Sequence, residues 1–157
     1  MSAQKKQKKY YSGKKKRHTL KTQVAINKKD QSILATYMSN GKNHDFKIFK
    51  LSKLMTLPST KIVADSGYQG INKILKNSDT PIKKKKNQTL SKEQKRYNRA
   101  LAQQRVLNEN VIAVLKRFKI LSDRYRNRRK RFGLRFNLIA GIYNLELKNG
   151  FLKRSIP

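Results

Sequence analysis

Forty lysines and arginines stand against eight acids in this 157-residue chain, a formal net charge of +32. Like charges in that excess repel as the chain compacts, and the natural remedy is a polyanion whose phosphates take up the charge and release their counterions. Nucleic acid is therefore the expected partner. A ribosomal-type structural protein fits the same imbalance, and composition alone leaves that reading open.

The length suits one domain with a real core, since domains of about 100–150 residues are the commonest. Hydrophobic residues at 36% allow a modest core with basic extensions. The chain has no cysteine, so disulfides, thiolate zinc sites and a thiol nucleophile are excluded together. Its amino terminus lacks the apolar stretch of a signal peptide, and no run of about 18 apolar residues occurs. These features predict a soluble protein of the cytoplasm with no membrane partner.

Residues 1–17 carry eight basic side chains, among them Lys14, Lys15, Lys16 and Arg17, with Tyr10 and Tyr11 between them. They read as a basic arm suited to phosphates. From 19 to 26, Leu20, Thr22, Val24 and Ile26 alternate with Lys21 and Gln23, the period of a half-buried strand. A turn at 27–31 and a second apolar run at 32–38 complete a hairpin. Residues 46–55 read as a short helix with Lys47, Lys50 and Lys53 on one side and Phe46, Phe49 and Leu54 on the other. A brief β-branched run at 61–64 reaches Asp65 and a turn containing Gly67 and Gly70. Residues 76–90 read as a basic loop. Ser91 with Gln94 is a capping-box signature opening a helix of about 30 residues. A further apolar helix spans about 132–147, with Phe136, Ile139, Ala140 and Tyr143 on one side, Leu138, Ile142 and Leu145 on another, and cover expected on both.

The scarcity of acids makes each one informative. Asp30 in a turn, Asp79 in a loop, Glu93 in a first helical turn and Glu146 in the last helix have structural explanations. Asp45 can cap the helix that follows it, with His44 beside it. Asp123 precedes Arg124, Arg126, Arg128, Arg129, Lys130 and Arg131, which points to an ion pair. Asp65 differs, because a carboxylate at the carboxyl end of a strand, before a glycine-rich turn, lies where open α/β sheets place ligands and metals. Glu109 shares a helix side with Arg105, so its pattern supports a surface ion pair. The competing reading brings it with Asp65 to a divalent cation under a basic rim, as in two-metal phosphoryl transfer.

Five blocks in order resemble bacterial insertion-sequence transposases of the DDE superfamily, in the endonuclease group with Asp-Ser-Gly-Tyr. They are Tyr11-Ser12-Gly13 through Thr19, Asn40-Gly41-Lys42-Asn43-His44-Asp45-Phe46, Ala64-Asp65-Ser66-Gly67-Tyr68-Gln69-Gly70, Lys116-Arg117-Phe118-Lys119-Ile120-Leu121, and Arg126-Asn127-Arg128-Arg129-Lys130-Arg131 through Gly141. The resemblance implies an α/β, ribonuclease H-like fold with long carboxyl-terminal helices, here incomplete because the family's first, central strand with its catalytic Asp has no counterpart. It divides the chain into the arm at 1–17, a partial catalytic domain at 18–148 and a tail at 149–157. By position, Asp65 and Glu109 correspond to the second and third catalytic, metal-binding acids, and His44 and Asp45 to a supporting signature. Lys14, Lys15, Lys16, Arg17, Arg126, Arg128, Arg129, Lys130 and Arg131 are the expected nucleic-acid contacts.

The implied cofactors are two Mg²⁺ or Mn²⁺ ions, which serve DNA cleavage and strand transfer in transposition. The implied partners are DNA, a separately encoded amino-terminal half and further copies of the chain, in the cytoplasm and nucleoid of a bacterium. Without the first Asp the chain is expected to be inactive alone. Without the central strand it is expected to be marginally stable, since each buried unpaired backbone group costs about 1–3 kcal/mol. A non-catalytic basic nucleic-acid-binding protein is the alternative.

Overall fold

The computed structural model describes residues 11–12, 16–123 and 131–152. Strands β1 (Tyr11–Ser12), β2 (Arg17–His18), β3 (Leu20–Ile26) and β4 (Ile33–Asn40) lead into helix α1 (Asp45–Ser52). Strand β5 (Ile62–Val63), two 3₁₀ turns (Ser66–Tyr68 and Ile71–Lys73) and strand β6 (Ser78–Asp79) follow. Helices α2 (Lys92–Leu115), α3 (Lys119–Ser122) and α4 (Phe132–Lys148) complete a mixed α/β order. Among the described residues the strands pair two by two, as β1–β2, β3–β4 and β5–β6. Two compact units result, one taking in the described residues up to Gln23 with Tyr37–Arg105, the other Val24–Thr36 with those from Val106 on.

In the first unit Ile48, Phe49, Ile71 and Leu101 are buried. The alternation along β3 places Lys21 and Gln23 together, on the side read as solvated, but helix α1 covers them. Lys21 Nζ donates to Asn43 O at 2.9 Å and pairs with Asp45 at 3.0 Å, while Gln23 Nε2 donates to Ser52 Oγ at 3.1 Å. Gln23 is consequently only 9% exposed. Helix α1 is shorter than expected because Lys53 turns into the left-handed region at φ 49° and ends it.

The strand expected at 61–64 is two residues long, and residues 76–90 are not wholly loop. Ile62 pairs with Ser78 and Val63 with Asp79 in parallel. Donation from Ile62 N–H to Asn77 O at 3.0 Å and from Ala64 N–H to Asp79 O at 2.9 Å extends the ladder. Asp79 thus lies in a strand and pairs with Lys61 at 2.8 Å. Two-residue strands are too short to show a period of two, so nothing in the sequence pattern marked β6.

Helix α2 opens with the expected reciprocal box: Gln94 N–H donates to Ser91 Oγ and Ser91 N–H to Gln94 Oε1, each at 3.1 Å. It stops at Leu115, short of the expected length, as Arg117 N–H and Phe118 N–H turn back to Val114 O and Leu115 O in the tighter three-residue pattern.

In the second unit Ile33, Val111, Leu115, Phe132, Phe136, Ile139, Ala140 and Tyr143 are buried. The hairpin turn is held by Asn27 Oδ1, which accepts from Lys29 N–H, and by Asp30 Oδ1, which accepts from Ser32 N–H at 3.0 Å. That bond, with one from the Ser32 hydroxyl, holds the Asp30 carboxyl below its usual range. Helix α4 meets β4 through amides: Ile33 N–H donates to Asn144 Oδ1 at 2.8 Å and Asn144 Nδ2 to Ile33 O at 2.9 Å. Tyr143 OH donates to Gln31 O at 3.1 Å, and Thr36 donates to Asn137 Oδ1. Arg117 pairs with Glu146. On the second side of α4, where cover is expected over Leu138, Ile142 and Leu145, Ile142 is half-buried but Leu138 and Leu145 are 65% and 59% exposed among the described residues.

Candidate catalytic site

Asp65 follows β5 directly, at the carboxyl end of a parallel strand pair. Its side chain caps the 3₁₀ turn behind it, Oδ1 accepting from Ser66 N–H at 2.5 Å. The same oxygen faces Arg105 Nη1 at 3.3 Å. Oδ2 makes no hydrogen bond or ion pair among the described residues, and the side chain is 55% exposed. The Asp65 carboxylate is a hard oxygen donor at a strand end, the type a divalent cation takes, and the Arg105 guanidinium beside it competes for the same negative charge.

Two of the sequence blocks meet here. Gly67 lies so close to Asp45 that a Cβ would fall inside van der Waals contact of Asp45 Oδ2 and 3.1 Å from Asp45 Cβ, so no larger residue fits without displacing that acid. Gly70, at φ +92°, takes a left-handed turn beneath the Phe46 ring. Tyr68 packs edge-on against Phe49 at 6.4 Å between centroids. Burial, and then the charges of Asp45 and Asp65, push its hydroxyl up to about 12. The phenol therefore stays protonated, a hydrogen-bond donor under the field of both acids.

Asp45 itself is the first residue of α1 and not its cap. The helix begins one residue early, His44 takes the cap position without a side-chain bond, and the Asp45 carboxylate turns to Lys21. His44 is exposed. Glu109 lies on α2 in the second unit, is exposed, and has no ion pair among the described residues. The pattern-based partner Arg105 is instead engaged with Asp65. Asp123 is exposed at the end of α3, and most of the arginine run expected to face it lies outside the described residues.

Of the expected nucleic-acid contacts, Lys16 is exposed in the turn between β1 and β2, Arg17 pairs through its backbone with Ser12, and Arg131 is exposed at the start of α4. Lys14, Lys15, Arg126, Arg128, Arg129 and Lys130 lie outside the described residues. Sequence reasoning missed Lys21, Tyr68 and Arg105 as members of the site. Only the glycines flanking Tyr68 and the isolation of each acid in a basic chain hinted at close partners. Among the described residues no three His, Asp or Glu side chains form a group that could hold a metal, and no helix is long and apolar enough to cross a membrane.

A probable transposase for insertion sequence element IS702 from Microchaete diplosiphon is 54% identical over 143 residues, 91% of this chain and 52% of the relative. The chain therefore spans about half the length of the curated relative it matches. No solved structure matches. The family described as DDE superfamily endonuclease matches residues 1–144, nearly the whole chain, and takes in both blocks that meet at Asp65. The chain thus belongs to the DDE superfamily endonucleases.

Proposed function

We propose that these residues form part of a transposase that cuts DNA and joins the freed 3′-hydroxyl to a target on a ribonuclease H-like scaffold. The observation that carries the reading is Asp65, half-exposed at the carboxyl end of the β5–β6 pair with one carboxylate oxygen unengaged among the described residues. Family membership and the transposase relative support it. Asp65 and Glu109 each serve as a metal ligand, and a third acid comes from the part of such a protein that these residues do not represent. Bound Mg²⁺ or Mn²⁺ supplies the charge that activates the attacking oxygen and stabilises the leaving one. The chain's own side chains do the rest of the work. Arg105 balances Asp65 before the cation arrives, Tyr68 keeps a protonated phenol within the field of both acids, and the Lys21–Asp45 pair fixes the acid against which Gly67 packs. Alone, the chain is inactive, because metal ligands act as a unit and losing one costs orders of magnitude in rate.

The test is strand transfer with Mn²⁺ by this chain co-expressed with the half of the Microchaete diplosiphon relative that it does not match. Activity that vanishes in Asp65→Ala and in Glu109→Ala is expected. Well-folded material with no activity, or activity indifferent to both substitutions, overturns the reading. Glu109, exposed and without an ion pair among the described residues, favours a second reading, a non-catalytic nucleic-acid-binding protein. That protein gains no thermal stability from Mn²⁺, and its DNA affinity is unchanged by Asp65→Ala.

A further inference from the structure

Strand β6 leaves the parallel pair at the same end as β5, so the chain emerging from Asp79 starts beside the turn that carries Asp65. That segment runs through Thr80, Pro81 and Ile82 into four consecutive lysines, Lys83, Lys84, Lys85 and Lys86, all exposed. None of the four has an ion pair among the described residues, and Asp79 behind them is already neutralised by Lys61. A run of like charges is ordinarily a loose, solvated loop. This one is tied down at its root. Asn98 on α2 grips Ile82 from both sides, accepting from its N–H at 2.8 Å and donating to its carbonyl at 3.0 Å. Gln69, in the Asp65 turn, donates to Pro81 O at 2.6 Å. At the far end Gln88 N–H returns to Lys85 O at 3.2 Å, with Asn87 in the left-handed region at φ 62°.

We propose that the lysines at 83–86 form an anchored strap that grips the phosphate backbone of duplex DNA beside Asp65. Three side-chain bonds to backbone carbonyl and amide groups hold the root before DNA arrives, so less of the ordering cost falls on binding. The bond from Gln69 makes the strap and the Asp65 turn neighbours, and a duplex held by the lysines presents its backbone at the carboxylate. The assignment rests on the reading that the chain acts on DNA, but it requires neither metal nor catalysis.

The test is titration of a labelled duplex with the 157-residue chain in EDTA across a series of KCl concentrations, with circular dichroism confirming the fold of each variant. Each lysine–phosphate contact contributes about 0.9 to the slope of log K against log salt, so Lys83→Gln, Lys84→Gln, Lys85→Gln and Lys86→Gln together lower that slope by about 2–4. The matched control removes Lys42, Lys47, Lys116 and Lys119, which are equally exposed. A control that loses as much as the strap variant overturns the proposal. Asn98→Ala keeps the slope but weakens binding roughly tenfold, the cost of ordering about one released residue. An unchanged affinity removes the anchoring. In the unaltered chain, acetylation of lysines by an amine-reactive reagent provides a check that needs no variant: duplex DNA protects positions 83–86 more than 42 or 47, and equal labelling counts against the strap. Since EDTA is present throughout, failure of the metal reading at Asp65 leaves these outcomes untouched, and failure here leaves the Mn²⁺ response intact.

Discussion

Tyr68 gathers the chemistry of the first unit at a single side chain, because its hydroxyl feels burial, Asp45 and Asp65 together. With the folded value pushed up to about 12 and the unfolded phenol ionising near 10, the unfolded chain releases its proton first as pH rises. Stability from the protonated phenol is complete below about pH 10 and lost between about 10 and 12. Allowing for the part of the ring that water reaches, the loss is about 2 kcal/mol. Lysines discharge over the same range and relieve self-repulsion, which acts in the opposite direction. The informative quantity is therefore the difference between wild type and Tyr68→Phe in urea unfolding with EDTA present, which cancels the lysine contribution. The wild type is expected to lose stability faster than Tyr68→Phe above pH 10. Parallel curves for the two proteins contradict the assignment. From the sequence, Tyr68 is a residue of a motif and nothing more; its environment is set by α1, which arrives from another block.

At the scale of elements, what the sequence pattern revealed depended on length. The β3–β4 hairpin and the opening of α2 were legible because several residues repeat a period or a capping box acts within four positions. The pair β5–β6 was not, since two residues per strand carry no period and the parallel register shows only in the backbone ladder and the Lys61–Asp79 ion pair. The seam between α4 and β4 was equally hidden, because an asparagine on a helix does not declare that it will substitute for a strand. Asn144 returns both hydrogen bonds of Ile33, a residue 7% exposed. Asn144→Leu keeps the branched shape but leaves a backbone N–H and C=O without partners. It is expected to destabilise the chain by about 1–3 kcal/mol in urea unfolding, whereas Asn149→Leu, at an exposed position, changes little. Equal effects at the two sites remove the seam as a source of stability.

Across the whole molecule, charge decides more than packing. The cations, forty against eight acids, repel one another at separations shorter than the screening length, and four ion pairs found among the described residues offset little of it. Raising KCl from about 0.1 to about 1 M shortens that length from about 10 to about 3 Å, so the thermal midpoint is expected to rise by about 5 °C. Duplex DNA at about 100 times its dissociation constant adds about 2.7 kcal/mol more at low salt. A midpoint that falls or stays level with KCl shows that self-repulsion is not what limits this fold. Among the described residues Leu134, Leu138 and Leu145 on α4 present the opposite hazard, exposed apolar surface that the net charge opposes bringing together.

The sequence by itself determined the excess of positive charge, the hairpin, the start of α2 and the family, because each depends on composition or on residues near one another along the chain. Asp65 stood out for the same reason, as a rare acid before a glycine-rich turn. Only tertiary structure decided that Lys21 serves Asp45, that Arg105 turns from Glu109 to Asp65, and that the segment leading to four lysines leaves β6 at the end of the pair that carries Asp65. Periodicity tells which side of an element is apolar or charged. What meets that side depends on where distant backbone is carried, and a charged side chain goes to the opposite charge that this placement brings within reach.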